Sequence, residues 1–250
     1  MITLENKVAL ITGASRGIGR AAALLFAQAG AAIALNYHKN KKAAQEVLGR
    51  VILFGVNAQI LKANVANFNE VKRMVKQVLN SFGKIDILVN NAGIWTPGAI
   101  ETMSEQVWDE TMDVNLKSIY NCCKMVVPAM ISSGGGKIIN ISSTAGQRGE
   151  AFHSHYAATK GAVISFTKSL AVELAGKNIL VNAIAPGWVD TDMTKEAFEK
   201  ESQKIINTIP LGRPGTSEEI AGAILFLASD LSNYLTGEII NVNGGSVLCG

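Results

Sequence analysis

Short apolar runs rich in β-branched residues alternate along this chain with longer segments of helical period, and few folds accept that alternation. Runs at 8–11, 32–35, 59–61, 85–89, 137–141, 179–184 and 239–242 read as strands. Most are almost continuously apolar instead of alternating, which suits strands covered on both faces. Helical patterns over 17–29, 40–49, 68–82, 104–131, 155–175, 194–207 and 217–229 fill the intervals. Two of them open on Ser104 with Glu105 and on Ser217 with Glu218 and Glu219, an oxygen acceptor followed by negative charge, as a helix N-terminus favours. This repetition predicts an α/β fold with one domain over 1–250, a doubly wound parallel seven-stranded sheet with helices on both faces.

Composition removes several classes of function. With 48% hydrophobic and 17% charged residues over 250 positions the chain is neither disordered nor too short to bury a core. The net charge of +3 is scattered, with no basic block beyond Lys39, Lys41 and Lys42, so neither nucleic acid nor a membrane surface is indicated as partner. The uncharged stretch from Ala21 to Tyr37 is broken by Gln28, Gly30 and Asn36 and falls short of the ~20 apolar residues of a membrane span. Three cysteines, Cys122, Cys123 and Cys249, form no C-x-x-C pair, so no disulfide framework and no metal site is expected. The adjacent pair is expected in the core. Residues 1–7 lack a basic segment followed by an apolar one, and a cytoplasmic location is expected.

The first strand runs directly into Thr12-Gly13-Ala14-Ser15-Arg16-Gly17-Ile18-Gly19 and then into a strongly helical segment. Glycines let the backbone approach a pyrophosphate, and the free amides of a helix start attract it. The spacing G-x-x-x-G-x-G differs from the commoner dinucleotide fingerprint. At the end of the second strand Asn36-Tyr37-His38-Lys39 offers no carboxylate to repel a 2′-phosphate, and Arg16 has the planar geometry to bind one. NADP(H) is therefore the expected cofactor. The ends of later strands, Asn90-Asn91-Ala92-Gly93, Ser142-Ser143 and Pro186-Gly187, should reach the same sheet edge. Tyr156 and Lys160, four apart at the start of a helical pattern, share one helix face, where an ammonium would pull the phenol pKa down toward acid/base use.

These motifs together resemble the short-chain dehydrogenase/reductase family over almost the whole chain: TGASRGIG, NNAG at 90–93, DVN at 113–115, SS at 142–143, YAATK at 156–160, PGWVDTDMT at 186–194 and VNGG at 242–245. The resemblance implies a Rossmann-type fold and a proton and hydride transfer at a carbonyl. It implies Ser143, 13 positions before Tyr156, on the substrate oxygen, Tyr156 as general acid/base, Lys160 on the nicotinamide ribose, and Asn115 behind a relay water. It also places Gly13, Ser15, Arg16, Gly17, Ile18, Gly19, Tyr37, His38, Asn64, Val65, Asn91, Ala92, Gly93, Pro186, Gly187, Val189 and Thr191 along the cofactor. Ser142 reads as structural.

Within the family, IPLGRPG at 209–215, FLASD at 226–230 and YLTGE at 234–238 are similar to 3-oxoacyl-(acyl-carrier-protein) reductases. The substrate region departs from them at Ile94-Trp95-Thr96-Pro97-Gly98, at Phe152-His153-Ser154-His155 and at the uncharged Ser132–Gly136, although Lys177 keeps a basic residue for an acidic carrier. Trp95, His153, Trp188, Met193 and Phe198 are candidate pocket residues, with His153 and His155 otherwise expected as polar surface. The implied activity is ketone reduction, on a 3-oxoacyl thioester and with acyl carrier protein as a partner. Sugar or secondary-alcohol oxidation by the same residues is the alternative, and a regulatory nucleotide-binding protein without turnover is the third reading. The resemblance further implies a homotetramer that pairs the helices near 104–131 and 155–175 and uses the C-terminal segment in a second contact, and the sequence itself offers Val163, Phe166, Leu170 and Leu174 as apolar surface there.

Overall fold

β1 (Val8–Ile11) is buried along its whole length and pairs in parallel with β2 (Ala32–Tyr37) on one side. Outside β2 lies β3 (Ala58–Lys62), and on the other side of β1 comes β4 (Ile87–Asn90). From there β5 (Gly136–Ile141), β6 (Ile179–Pro186) and β7 (Ile239–Val242) extend the sheet. The structure is a computed structural model and describes residues 2–248. Every pairing is parallel and the order is β3-β2-β1-β4-β5-β6-β7, the doubly wound sheet of seven strands that the apolar runs predict. Strand order reverses at the β1/β4 seam, where open α/β sheets leave a crevice beyond their carboxyl ends.

Helices cover both faces. On one, α1 (Gly17–Gln28) and α2 (Lys41–Ile52) bury Ala22, Phe26, Val47 and Val51 against β1 and β2. On the other, α3 (Phe68–Phe82) buries Val71, Met74, Val75 and Val78, the i, i+3, i+4, i+7 stripe that makes it amphipathic. Its first turn is capped by Asn67, which accepts from the Glu70 amide at 3.1 Å, and Gly83 ends it at φ +79°.

The helix expected over 104–131 is three pieces: α4 (Glu105–Met112), a π-turn over Asp113–Lys117, and α5 (Ser118–Ser132). The extra residue of a π-turn rotates the following helix face by about 100°, and the apolar pattern over 104–131 is too irregular to mark that step. Here the wide turn points Asn115 inward. Ser104 caps α4 as expected, accepting from the Val107 amide at 3.3 Å. A short α6 (Ala145–Arg148) was not visible in the periodicity, and it leads to α7 (Ser154–Leu174). α8 (Lys195–Ile206) lies over the cleft side of the chain, and α9 (Ser217–Ala228) returns to pack against α1. The cap of α9 is Thr216, not Ser217, because the reciprocal bonds of a capping box require Glu219 three residues later.

Cys122 and Cys123 are buried, as expected, while Cys249 lies outside the described residues. Burial pushes both thiols up, Cys123 to about 12, so neither is a nucleophile at neutral pH. Val163 and Leu174 face the sheet of their own chain instead of the surface expected for pairing between copies, since α7 needs them to cover β6. No helix among the described residues is long and apolar enough to cross a membrane.

α6 and α7 meet at Gly146, where a Cβ would fall 2.4 Å from the Lys160 carbonyl carbon and 2.6 Å from the Gly161 amide nitrogen. Both are backbone atoms and cannot rotate away. Gly146→Ala is expected to cost about 1–3 kcal/mol, read as a lower urea midpoint at unchanged slope. A midpoint equal to the parent's would show that α6 moves freely on α7.

Candidate active site

A cleft of about 1160 Å³ opens at the carboxyl edge of the sheet. The glycine turn after β1 forms its floor. Gly13 and Gly17 adopt φ +63° and +52°, a region that L side chains rarely enter, and a Cβ on Gly13 would meet Ala92 at 3.0 Å. Asn36, at the end of β2, holds this turn: its side-chain oxygen accepts from the Gly13 amide at 3.2 Å while its nitrogen donates to the carbonyls of Leu61 and Ala63. Sequence reading did not single out Asn36, and its one signal is a polar residue within an apolar strand.

Most of the expected cofactor residues line the cleft: Gly13, Ser15, Arg16, Gly17, Ile18, His38, Asn64, Val65, Asn91, Ala92, Gly93, Tyr156, Lys160, Pro186, Gly187, Val189 and Thr191. Two stand behind it. Gly19 packs on the Gly13 carbonyl, where a Cβ would come within 2.5 Å, so its task is to let α1 approach the turn. Tyr37 is buried in the sheet, because strand alternation turns its neighbours Asn36 and His38, and not Tyr37, toward the cleft. Asn64 lends backbone more than side chain, since its oxygen closes a turn onto the Ala66 amide at 3.1 Å.

The four residues expected to carry chemistry meet near the end of β5. Tyr156 and Lys160 sit on the first turns of α7, with Lys160 Nζ 5.6 Å from the Tyr156 ring centroid. Lys160 is almost wholly buried and donates to the Ile141 carbonyl at 2.7 Å. Its helix is tied to β5 by Ser142, whose hydroxyl donates to the Lys160 carbonyl at 2.8 Å. That is the structural role expected for Ser142. Ser143 stands beside Tyr156, and its oxygen accepts from the Ala145 amide at 3.1 Å at the start of α6.

Asn115 is fully buried behind the cleft wall instead of on it, because its amide is committed to backbone. The oxygen accepts from the Ile94 amide at 2.8 Å and the nitrogen donates to the Ile94 carbonyl at 2.9 Å.

Titration differs from the expectation for the Tyr156–Lys160 pair. Burial pushes the Tyr156 phenol up to about 12, against a lowering by the Ser143 hydroxyl and helped by the Glu150 charge. Burial also brings Lys160 down to about 8. The ammonium is aimed at the Ile141 carbonyl, so it does not draw the phenol down in this geometry.

Trp95, Trp188 and Met193 line the outer cleft, and Phe198 packs edge-on against Trp188 at 5.7 Å. His153 is stacked behind Trp95, centroids 4.4 Å apart, so it supports the wall without lining it. His155 is fully buried, not the polar surface residue expected. Gly98 packs on its ring and Thr96 approaches its Nε2 at 3.4 Å, so the loop after β4 covers it. Burial, then the His153 charge, hold its imidazole below the ordinary range.

Comparison with known proteins agrees with this geometry. A family model described as Enoyl-(Acyl carrier protein) reductase matches residues 13–246. The chain is 45% identical over 240 residues to a 3-oxoacyl-(acyl-carrier-protein) reductase of Staphylococcus aureus, covering 96% of this chain and 98% of the relative. A protein of the same name from Thermotoga maritima is 45% identical over 251 residues, covering 98% and 99%. A third, from Synechocystis, is 43% identical over 249 residues, covering 99% and 100%.

Lys160 generates a prediction about stability. Its folded pKa of about 8 lies below the unfolded value of 10.5, so the unfolded chain binds more protons between the two. The cost of burying the ammonium is complete below pH 8 and disappears as pH rises toward 10.5. Lys160→Met should therefore stabilise the ligand-free protein at pH 7 by about 1–3 kcal/mol, with the gain shrinking at alkaline pH. Urea unfolding of both proteins across this range checks it, and a gain independent of pH would show that packing, not charge, is responsible.

Proposed function

The chain belongs to the short-chain dehydrogenase/reductase family, and on that premise we propose that it reduces the ketone of a 3-oxoacyl thioester to a secondary alcohol with NADP(H). The family makes it an oxidoreductase that uses a nicotinamide dinucleotide. The placement of Tyr156 and Lys160 in the wall of one glycine-floored cleft, with Ser143 behind that wall within hydrogen-bond reach of Tyr156, carries the reading. In it, residues 1–250 act as one dinucleotide-binding and catalytic domain.

The cleft suits the cofactor. The first-turn amides of α1 lack intrahelical partners, that turn carries no acidic residue, and the glycines keep the floor free of side chains. Bound there, the nicotinamide supplies the hydride. His38 and Lys39 line the end of β2, with no carboxylate among them, which supports a 2′-phosphate. Arg16 is exposed and 3.9 Å from the equally exposed Asp192, a weak pair that leaves it available to that phosphate.

Ser143 donates a hydrogen bond to the substrate oxygen, and Tyr156 gives its proton to that oxygen as negative charge develops. Burial keeps the Tyr156 phenol protonated at neutral pH, the state in which it donates to the substrate oxygen. The similarity to 3-oxoacyl-(acyl-carrier-protein) reductases favours ketone reduction over sugar or secondary-alcohol oxidation. Lys160 holds the ribose hydroxyls. Asn115 spends its side-chain amide on Ile94 and Thr159, which fixes the loop after β4 behind the reacting groups. The reading includes an acyl-carrier-linked substrate, the cytoplasm as location and a homotetramer, which sedimentation velocity at micromolar concentration tests directly.

NADPH oxidation with acetoacetyl-coenzyme A is the expected activity, and turnover confined to NADP with sugars or alcohols would overturn the acyl reading. Tyr156→Phe should keep cofactor affinity and lose about 10²–10⁴ in kcat, since the ring remains and the proton does not; near-normal turnover would remove Tyr156 from the chemistry. Arg16→Ala should weaken NADPH by about tenfold or more and leave NADH nearly unchanged. Equal losses would show that Arg16 supports the turn without reading the phosphate.

A further inference from the structure

The cleft wall near Tyr156 carries a charged group that the chemistry above does not use. Glu150, in the loop between α6 and α7, lines the cleft together with Trp95 and Tyr156, and its side chain is only 22% exposed. Its Oε1 accepts the Trp95 indole N–H at 3.2 Å and lies 3.6 Å from His153 Nδ1. The indole is held in turn, stacked on His153 with 5° between the planes and edge-on to Trp188 at 5.8 Å. Backbone fixes the loop itself: Phe152 adopts φ +61°, its carbonyl accepts from the Gly98 amide at 2.7 Å, and the His153 amide donates to the Glu150 carbonyl at 3.2 Å. A left-handed phenylalanine is uncommon enough to mark a loop held by its surroundings.

A carboxylate clamped in this way cannot swing into water as a surface glutamate does. The cations near the cleft do not cancel it. Lys160 is spent on the Ile141 carbonyl, and the charges of His153 and of the exposed Arg148 offset the burial of the Glu150 carboxylate only in part. His153 Nδ1 is 3.1 Å from the Ala151 carbonyl as well as close to Glu150. Burial raises the Glu150 carboxyl above its ordinary value, and the Glu150 charge raises the Tyr156 phenol, both consistent with a poorly solvated charge within reach of the reacting oxygen.

From this arrangement we infer that Glu150 sets the charge selectivity of the substrate pocket: it accepts ketones whose neighbouring carbonyl group is a neutral ester or thioester and rejects those that carry a carboxylate there. The inference rests on the ketone-reductase reading and narrows its substrate class. A free 3-oxo acid is what hydrolysis makes of a 3-oxoacyl thioester, so a negative wall confines reduction to the activated chain. Trp95 and His153 hold the carboxylate, and Glu150 determines specificity.

The test compares NADPH-dependent reduction of ethyl acetoacetate and of acetoacetate by the wild type and by Glu150→Gln. Glutamine keeps an oxygen for the Trp95 N–H and removes the charge. The ratio of kcat/KM for ester over acid should fall in Glu150→Gln by on the order of tenfold to a hundredfold, the size of a unit-charge repulsion across roughly 6–12 Å at an effective dielectric of about 20. A purely structural role for Glu150 would lower both substrates together, and an unchanged ratio overturns the inference. If the wild type reduces neither compound, turnover of acetoacetyl-coenzyme A decides the ketone-reductase reading, and calorimetric binding of the same two compounds decides the inference. Preference for the ester that disappears in Glu150→Gln supports it; equal affinities, or no binding to either protein, overturn it.

Discussion

Thr12 donates its amide to the Val89 carbonyl and accepts, through its hydroxyl, from the amides of Asn91 and Ala92, closing the seam between β1 and β4 where the order of the sheet reverses. Asn91 answers by donating its side-chain nitrogen to the carbonyls of Thr12 and Gly13. The candidate site lies above this seam. Because all strands run in one direction, the loops that follow β1, β4, β5 and β6 emerge on one edge, and the seam sets how closely the glycine turn and the Asn91–Gly93 segment face each other. A bond of ordinary strength thus controls the width of the cleft.

Buried amides repeat the device along the sheet. Asn90 donates to Asn140 at 2.9 Å, and Asn140 donates to Thr167 on α7 at 3.0 Å. Asn182 accepts from the Glu238 amide and donates to the Leu235 carbonyl, fastening the chain that enters β7. Asparagine is poorly suited to a strand on propensity alone. Each of these gains hydrogen bonds in a low-dielectric interior, where an unmade bond costs more than a made one returns, so the network specifies one register of loops against sheet.

The same interior makes the chemistry possible at a cost in stability. Lys160 and Tyr156 are both buried, and burial shifts each toward its neutral form. In the proposed reaction the neutral form of Tyr156 is the proton donor. For Lys160 the penalty is a buried ammonium held by one carbonyl, a group that an added ribose would satisfy further. Glu150 is a third titratable group held at low exposure in the same wall, so the site concentrates poorly solvated groups that a packing optimum would replace with apolar ones.

The sequence by itself determined the parallel sheet, the ends of β1 and β7, the extent of α3, and the family to which the chain belongs, because these depend on local period and on motifs whose spacing is set by single turns. The Tyr156–Lys160 face was legible for the same reason: four residues on one helix need no long-range information. Only tertiary structure decided that Asn115 turns inward on a π-turn, that Asn36 braces the glycine floor, that His155 is buried under Gly98, and that Lys160 points at Ile141 instead of drawing down the Tyr156 phenol. Each of these depends on which distant backbone carbonyl or amide comes within about 3 Å of a polar side chain. Glu150 belongs with them, since 55 residues separate it from the indole that holds it. Periodicity is blind at that distance, and packing alone sets the contact.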